Sequence, residues 1–220
     1  MELMSHASQI SIDVQQRLIF SAHARQSTNM RNTRSFVLGC AIELGLIGVA
    51  AVLGWWLDRP LLDGFDWSAT DLALGALASL PMLALMAWLL EWRLPQLARI
   101  RRMFEDVLRP FFANWTLGQL GVISLIAGVS EELLFRGMIQ GALSPQVGPV
   151  PALVLASVLF GCGHCLTWAY AVLAGLIGAW LGALWLCTGN LLVPMTAHAL
   201  YDFLALVYFL KFMRPVSLML

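Results

Sequence analysis

The chain has 220 residues, 60% of them hydrophobic and 12% charged, with a formal net charge of +0 and a mean hydropathy of +0.78. Soluble domains carry about 25% charged residues, so this composition excludes the ordinary soluble class and indicates an integral membrane protein. No basic run offers a nucleic-acid surface, and no long polar stretch supplies a second core, so one membrane domain is expected.

Residues 1–34 are polar and contain Arg17, Arg25, Arg31 and Arg34, which reads as an amino-terminal segment in the cytoplasm. The first apolar run, residues 36–57, is longer than the apolar core of about 7–15 residues in a cleaved signal and is read as a retained span. It holds one internal charge, Glu43, whose expected role is a lone polar residue facing the bundle, with substrate contact as the lesser reading. An acidic, turn-rich loop with Asp58, Arg59, Asp63, Asp66 and Asp71 leads to a second run at residues 72–90, where Pro81 predicts a kink. A basic stretch follows, with Arg93, Arg99, Arg101, Arg102 and Arg109. Residues 96–112 read as an amphipathic helix on the membrane surface, with Leu97, Ile100, Met103, Val107 and Phe111 on one side. Residues 35–109 thus form two accessory spans and a basic connector.

The third run, residues 114–143, is long for a span of about 20 residues and predicts a kink or tilt. Ser144 to Pro149 reads as a turn, residues 150–168 as the fourth helix, 170–187 as the fifth and 191–212 as the sixth. Gly175, Gly178 and Gly182 on the fifth allow close approach of a neighbouring backbone. The expectation is an all-α polytopic bundle of about six transmembrane helices with a surface amphipathic helix. With six spans, the arginine-rich start, the basic connector and Lys211 with Arg214 share one side, which the positive-inside rule assigns to the cytoplasm. That places the chain in a cell inner (plasma) membrane with both termini cytoplasmic. Cys40, Cys162, Cys165 and Cys187 lie in apolar runs and are expected as small buried hydrophobes. Trp55, Trp56, Trp67, Trp88 and Trp92 fall where an aromatic belt would.

Three polar islands interrupt the apolar runs: Glu131 and Glu132 with Arg136, Phe160 with His164, and His198 with Asp202. Ionisable groups at membrane depth are costly and mark functional sites. At about 1.5 Å per residue, Glu131, His164 and His198 lie roughly 10–20 Å from one membrane face, so the islands can converge. Glu132 and Arg136 stand four apart, on one helix side, and can pair; Glu131 is turned about 100° away and is free to face a cavity. For Glu132 and Arg136 alone, helix-gluing and functional roles fit equally well. Glu131 together with two histidines fits general-base activation of water better than packing.

The ordered set Glu-Glu-x-x-x-Arg, Phe-x-x-x-His and His-x-x-x-Asp resembles the CPBP intramembrane proteases, the CAAX-type prenyl endopeptidases with their bacteriocin-processing and immunity relatives. The resemblance covers about residues 110–212, within the expected catalytic membrane domain at 110–214. It implies that Glu131 activates the attacking water, that His164 and His198 position it or stabilise the oxyanion, and that Glu132, Arg136 and Phe160 support them. Asp202 stands where many relatives have asparagine; an ionised carboxylate cannot donate a hydrogen bond, so it orients His198 or binds a metal. A glutamate and two histidines, Glu131, His164 and His198, resemble a zinc site, yet no His-Glu-x-x-His helix is present, and the reading leans to no tightly bound metal. Cys162-Gly163-His164-Cys165 mimics a disulfide isomerase centre without the βαβ context such chemistry expects.

The resulting expectation is an endopeptidase acting on a membrane-associated peptide or protein in the lipid bilayer, with no nucleic-acid partner and an undefined oligomeric state. Prenylated substrates are not implied by the residues. Two other readings stand beside it: a proton-coupled transporter using Glu131, His164 and Asp202 as a relay, and a non-catalytic immunity or partner-binding membrane protein.

Overall fold

The computed structural model describes residues 30, 32–91 and 95–212. Arg17, Arg25, Arg31, Arg93 and Arg214, which carry much of the orientation argument, lie outside the described residues, as does the side chain of Leu97. All regular structure among the described residues is helical. Helix α1 spans Asn32–Trp56 and α2 spans Ala69–Glu91. Helix α3 (Pro95–Met103) continues through a π-helical stretch, Phe104–Leu108, into α4 (Arg109–Phe112). Helix α5 (Leu117–Glu132) passes into a second π-helical stretch, Leu133–Gln140, and then into α6 (Gly141–Val147). Helices α7 (Pro149–Gly163), α8 (Trp168–Thr188) and α9 (Leu192–Lys211) complete the bundle.

Four of these helices, α1, α2, α8 and α9, are long and apolar enough to cross a membrane. The other two expected spans differ from that simple form. One is the unbroken helical run from α5 to α6, which carries the charges. The other, α7, has 15 residues because the chain leaves the helix at Gly163 instead of continuing to residue 168.

Local chemistry sets the boundaries. Thr116 caps α5 in a reciprocal box: its Oγ1 accepts from Gln119 N (3.2 Å), and Gln119 Oε1 accepts from Thr116 N (2.9 Å). Thr167 caps α8 by accepting from Tyr170 N (3.1 Å), and Gly189 ends that helix in the left-handed region at φ 70°. The turn expected from Ser144 to Pro149 contracts to Gly148, at φ 91°, while the helix runs past Pro145. Proline has no N–H to offer the carbonyl four residues back. Here Arg59 Nη1 donates to that carbonyl, Gly141 O, at 3.1 Å and replaces the lost bond. The helix also continues through Pro81, and Trp180 Nε1 donates to the nearby Ala78 O (3.0 Å).

Helix α9 lies between α2 and α5, and α8 runs along α7. Small residues permit these crossings. A Cβ on Gly161 would lie 2.5 Å from Ala171 O, and one on Gly128 would lie 2.8 Å from Ala199 N. Helix α1 packs through Ala50 against Leu133, Leu134, Met138, Leu191 and Met195, closing the side of the bundle behind the two glutamates.

Ile100 and Met103 of α3 sit on Ala169 of α8, as the amphipathic pattern predicts. Val107, expected on the same side, is exposed, while Phe104 and Leu108 pack inward. The wider π turn adds a residue and moves the inward face by one position. The bundle's outer surface is apolar, with Val37, Ile42, Val154, Val158, Val172 and Leu176 exposed, as a lipid-facing surface requires. Cys162 of α7, Cys165 of the α7–α8 connection and Cys187 of α8 are also exposed, where core positions were expected. Trp55, Trp56 and Trp67 are exposed around the Asp58–Asp66 loop, consistent with an interfacial belt.

That loop is fastened to the start of α9 by Asn190. Its Nδ2 donates to Asp66 O and to Asp71 Oδ2, both at 2.8 Å, and its Oδ1 accepts from Asp66 N (3.1 Å) and Leu192 N (3.0 Å). Asn190→Ala leaves these groups without partners, with an expected loss of about 1–3 kcal/mol. Thermal unfolding in detergent micelles checks this, and an unchanged midpoint would remove Asn190 as the fastening.

Candidate active site

The charged segment begins where α5 passes into its π-helical stretch. Glu132 is fully buried and Arg136 is 1% exposed. Arg136 Nη1 donates to Glu132 Oε1 at 2.8 Å, the pairing predicted from their spacing. Its Nη2 donates to Gly178 O on α8 (2.8 Å), and its Cζ lies 4.6 Å from the centre of the Phe160 ring. One turn on, Gln140 Nε2 donates to Gly182 O (3.2 Å). Glycine at 178 and 182 leaves room for these two side chains: a Cβ on Gly182 would fall 2.7 Å from Gln140 Oε1.

His198 of α9 reaches the same carboxylate, with Nδ1 at 2.8 Å from Glu132 Oε1. An ionised carboxylate only accepts hydrogen bonds, so Nδ1 is the donor and Nε2 is turned toward Asp202, at 3.5 Å from Oδ2. Both ring nitrogens therefore face carboxylate oxygens. Glu132 is held by an arginine and a histidine from two different segments, while Asp202, one turn along α9, is half-exposed to the cavity.

His164 takes its position from a helix end. The chain leaves α7 through bonds from His164 N to Gly161 O (3.1 Å) and from Cys165 N to Cys162 O (3.2 Å). His164 Nδ1 donates to Phe160 O (2.9 Å), and the ring stacks on Phe160 with centroids 4.5 Å apart. Its Nε2 then carries the free lone pair and lies 3.7 Å from Glu131 Oε2. That separation is too long for a direct hydrogen bond and suits one bridging water. Glu131 is only 7% exposed, and its Oε2 has no hydrogen-bond partner.

Glu131, Phe160, His164, His198 and Asp202 all line one cavity of about 260 Å³. Glu132 and Arg136 stand behind its wall and do not line it. The convergence expected from three separate sequence islands is thus present. Phe160 is its hub, touching Phe135 (5.0 Å), His164, His198 (5.8 Å) and Arg136. Further polar lining residues, among them Glu43, Ser124, Tyr170 and Tyr201, were not selected as site residues from the sequence. Ser124 is seven positions before Glu131, two turns along the same side of α5, and Tyr201 adjoins Asp202; helical periodicity could have flagged both.

Among the described residues, no group of three His, Cys, Asp or Glu side chains is placed to hold one ion. His198 turns one nitrogen to Glu132 and the other to Asp202. As arranged, Glu131, His164 and His198 do not fit a shared zinc ion.

The two glutamates should respond differently to substitution. Arg136→Ala strands a fully buried carboxylate and should lower stability by about 3–5 kcal/mol. Glu131→Gln removes no internal hydrogen bond and should unfold close to wild type. Denaturant unfolding in micelles compares them, and equal losses would contradict this division of roles.

Comparison with known proteins agrees with the geometry. The profile described as Type II CAAX prenyl endopeptidase Rce1-like matches residues 113–204, which contain Glu131, Glu132, Arg136, Phe160, His164, His198 and Asp202. The "Uncharacterized protein YpbD" of Bacillus subtilis (strain 168) is 27% identical over 170 residues, covering 73% of this chain and 82% of the relative. No solved structure gives a significant match. Over residues 113–204, less than half of its length, the chain is similar to the Type II CAAX prenyl endopeptidase Rce1-like family.

Proposed function

We propose that this protein is an intramembrane endopeptidase that hydrolyses a peptide bond of a membrane-associated peptide or protein, with Glu131 as the base that activates water. One observation carries the reading: Glu131 lines the cavity, and its Oε2 is buried, without a hydrogen-bond partner, and lies 3.7 Å from His164 Nε2. A water between them donates one hydrogen to each acceptor, which points an oxygen lone pair into the cavity.

The water oxygen attacks the scissile carbonyl carbon as Glu131 takes the water proton. The carbonyl oxygen becomes an oxyanion and accepts from His198 Nε2–H, with the ring's other proton still held on Glu132. Fixed donors at such a position contribute about 3–4 kcal/mol. Collapse of the tetrahedral species expels the amine, which receives the proton stored on Glu131. Before the oxyanion forms, Asp202 faces this same Nε2–H, 3.5 Å away, and holds the ring in place.

Composition of the cavity supports the substrate class. Beyond the polar floor its walls are apolar, with Phe104 and Leu108 from the α3–α4 segment, Leu173 and Ile177 from α8, and Leu206 and Phe209 from α9. Such walls favour a hydrophobic peptide arriving from the bilayer. The surface segment forms one of them, so the cavity opens on the side of the basic connector. The positive-inside rule makes that side cytoplasmic, in an inner membrane.

The test uses the purified chain in proteoliposomes with a panel of membrane-anchored reporter peptides. Glu131→Gln should lower cleavage by about 10²–10⁴-fold. Chelator dialysis of the wild type should leave the rate unchanged. Persistent cleavage by the variant removes Glu131 as base, and zinc-restorable loss after chelation would assign the chemistry to a metal.

A further inference from the structure

We propose that Glu43 of α1 and Ser124 of α5 form a subsite for a basic side chain beside the bond that is cut, a specificity element resting on the peptide-hydrolase reading above. Glu43 belongs to a helix outside the residues matched by the family profile, yet it lines the same cavity as Glu131, His198 and Asp202. It is half-buried, and its Oε2 accepts a hydrogen bond from Ser130 Oγ at 3.0 Å. Ser130 immediately precedes Glu131, so this bond fixes the Glu43 carboxylate against the wall that carries the base. The other oxygen of Glu43 remains for a ligand.

Ser124 is the second, independent observation. It is 2% exposed, lines the cavity, and its hydroxyl has no hydrogen-bond partner. A buried hydroxyl left alone is unfavourable unless something in the cavity completes it. Two turns of α5 separate it from Glu131, so it stands further along the wall while keeping to the same side of the helix.

Charge decides the class of ligand. Three carboxylates, Glu43, Glu131 and Asp202, face the cavity, and the lining guanidinium, Arg101, comes from the surface segment α3. Arg136 is consumed by Glu132 and Gly178 O behind the wall. A lysine or arginine side chain of the substrate would place a cation beside Glu43, donating to its carboxylate and to Ser124 Oγ. An acidic side chain at that position would be repelled by all three carboxylates.

The experiment compares three hydrophobic peptides that differ only at one residue beside the scissile bond, which is lysine, norleucine or glutamate. Wild type should prefer the lysine peptide over the norleucine peptide in kcat/KM. Glu43→Gln keeps an oxygen that can accept from Ser130 and should reduce that preference by about ten- to a hundredfold. Glu43→Lys should reverse it toward the glutamate peptide, and Ser124→Ala, which breaks no internal bond, should weaken it. An equal loss on all peptides would make Glu43 a positioning residue acting through Ser130 and would overturn the subsite. Binding of the same peptides to the Glu131→Gln protein, followed by fluorescence anisotropy, separates this proposal from the hydrolase reading. Lysine-peptide binding that depends on Glu43, with no cleavage by wild type, upholds the subsite and sinks the hydrolase. Binding indifferent to Glu43 sinks the subsite.

Discussion

The site is built around the fully buried carboxylate of Glu132. One of its oxygens accepts from both Arg136 and His198, each at 2.8 Å, and this shared acceptor ties the π-helical stretch after α5 to α9. A charge without water must be matched by donors or it destabilises the fold. Arg136 completes the match by extending to Gly178 O on α8 and resting on the Phe160 ring of α7. A single buried acid therefore fixes four segments relative to one another. Its neighbour Glu131 takes no part in that match: it lines the cavity and keeps an unpartnered oxygen.

This division follows from helix geometry at one junction. Consecutive residues on a helix point in directions about 100° apart, so adjacent glutamates cannot both enter the ion pair. The π-helical stretch that starts at Leu133 then carries Arg136 and Gln140 toward the glycines of α8. π-helical turns are rare and frequent at functional sites. The early end of α7 has a comparable effect. By leaving the helix at Gly163, the chain lets His164 turn its Nδ1 back to Phe160 O and its Nε2 toward Glu131.

Much of this was legible in the sequence, for physical reasons. Charges inside apolar runs stand out because burying them is costly, and spacing of four residues gives the Glu132–Arg136 and His198–Asp202 pairs directly. Three features were not legible. The bond between His198 and Glu132 joins residues 66 apart and depends on how α9 crosses α5. The place of Glu43 on the cavity wall depends on the packing of α1, which composition leaves open. The continuation of helix through Pro145 depends on a guanidinium from Arg59, 82 residues away from the carbonyl that it satisfies. Local rules predicted a turn there, and a tertiary hydrogen bond overrode them.

The central claim is that Glu132 serves the fold and Glu131 serves the water. An experimental structure of the protein in a lipid nanodisc, at a resolution that reveals ordered water, tests it most directly. The account predicts that Arg136 and His198 share one oxygen of Glu132 and that a water sits within hydrogen-bond distance of both Glu131 and His164. A map in which Arg136 grips Glu131 instead, leaving Glu132 to face the cavity, would contradict it.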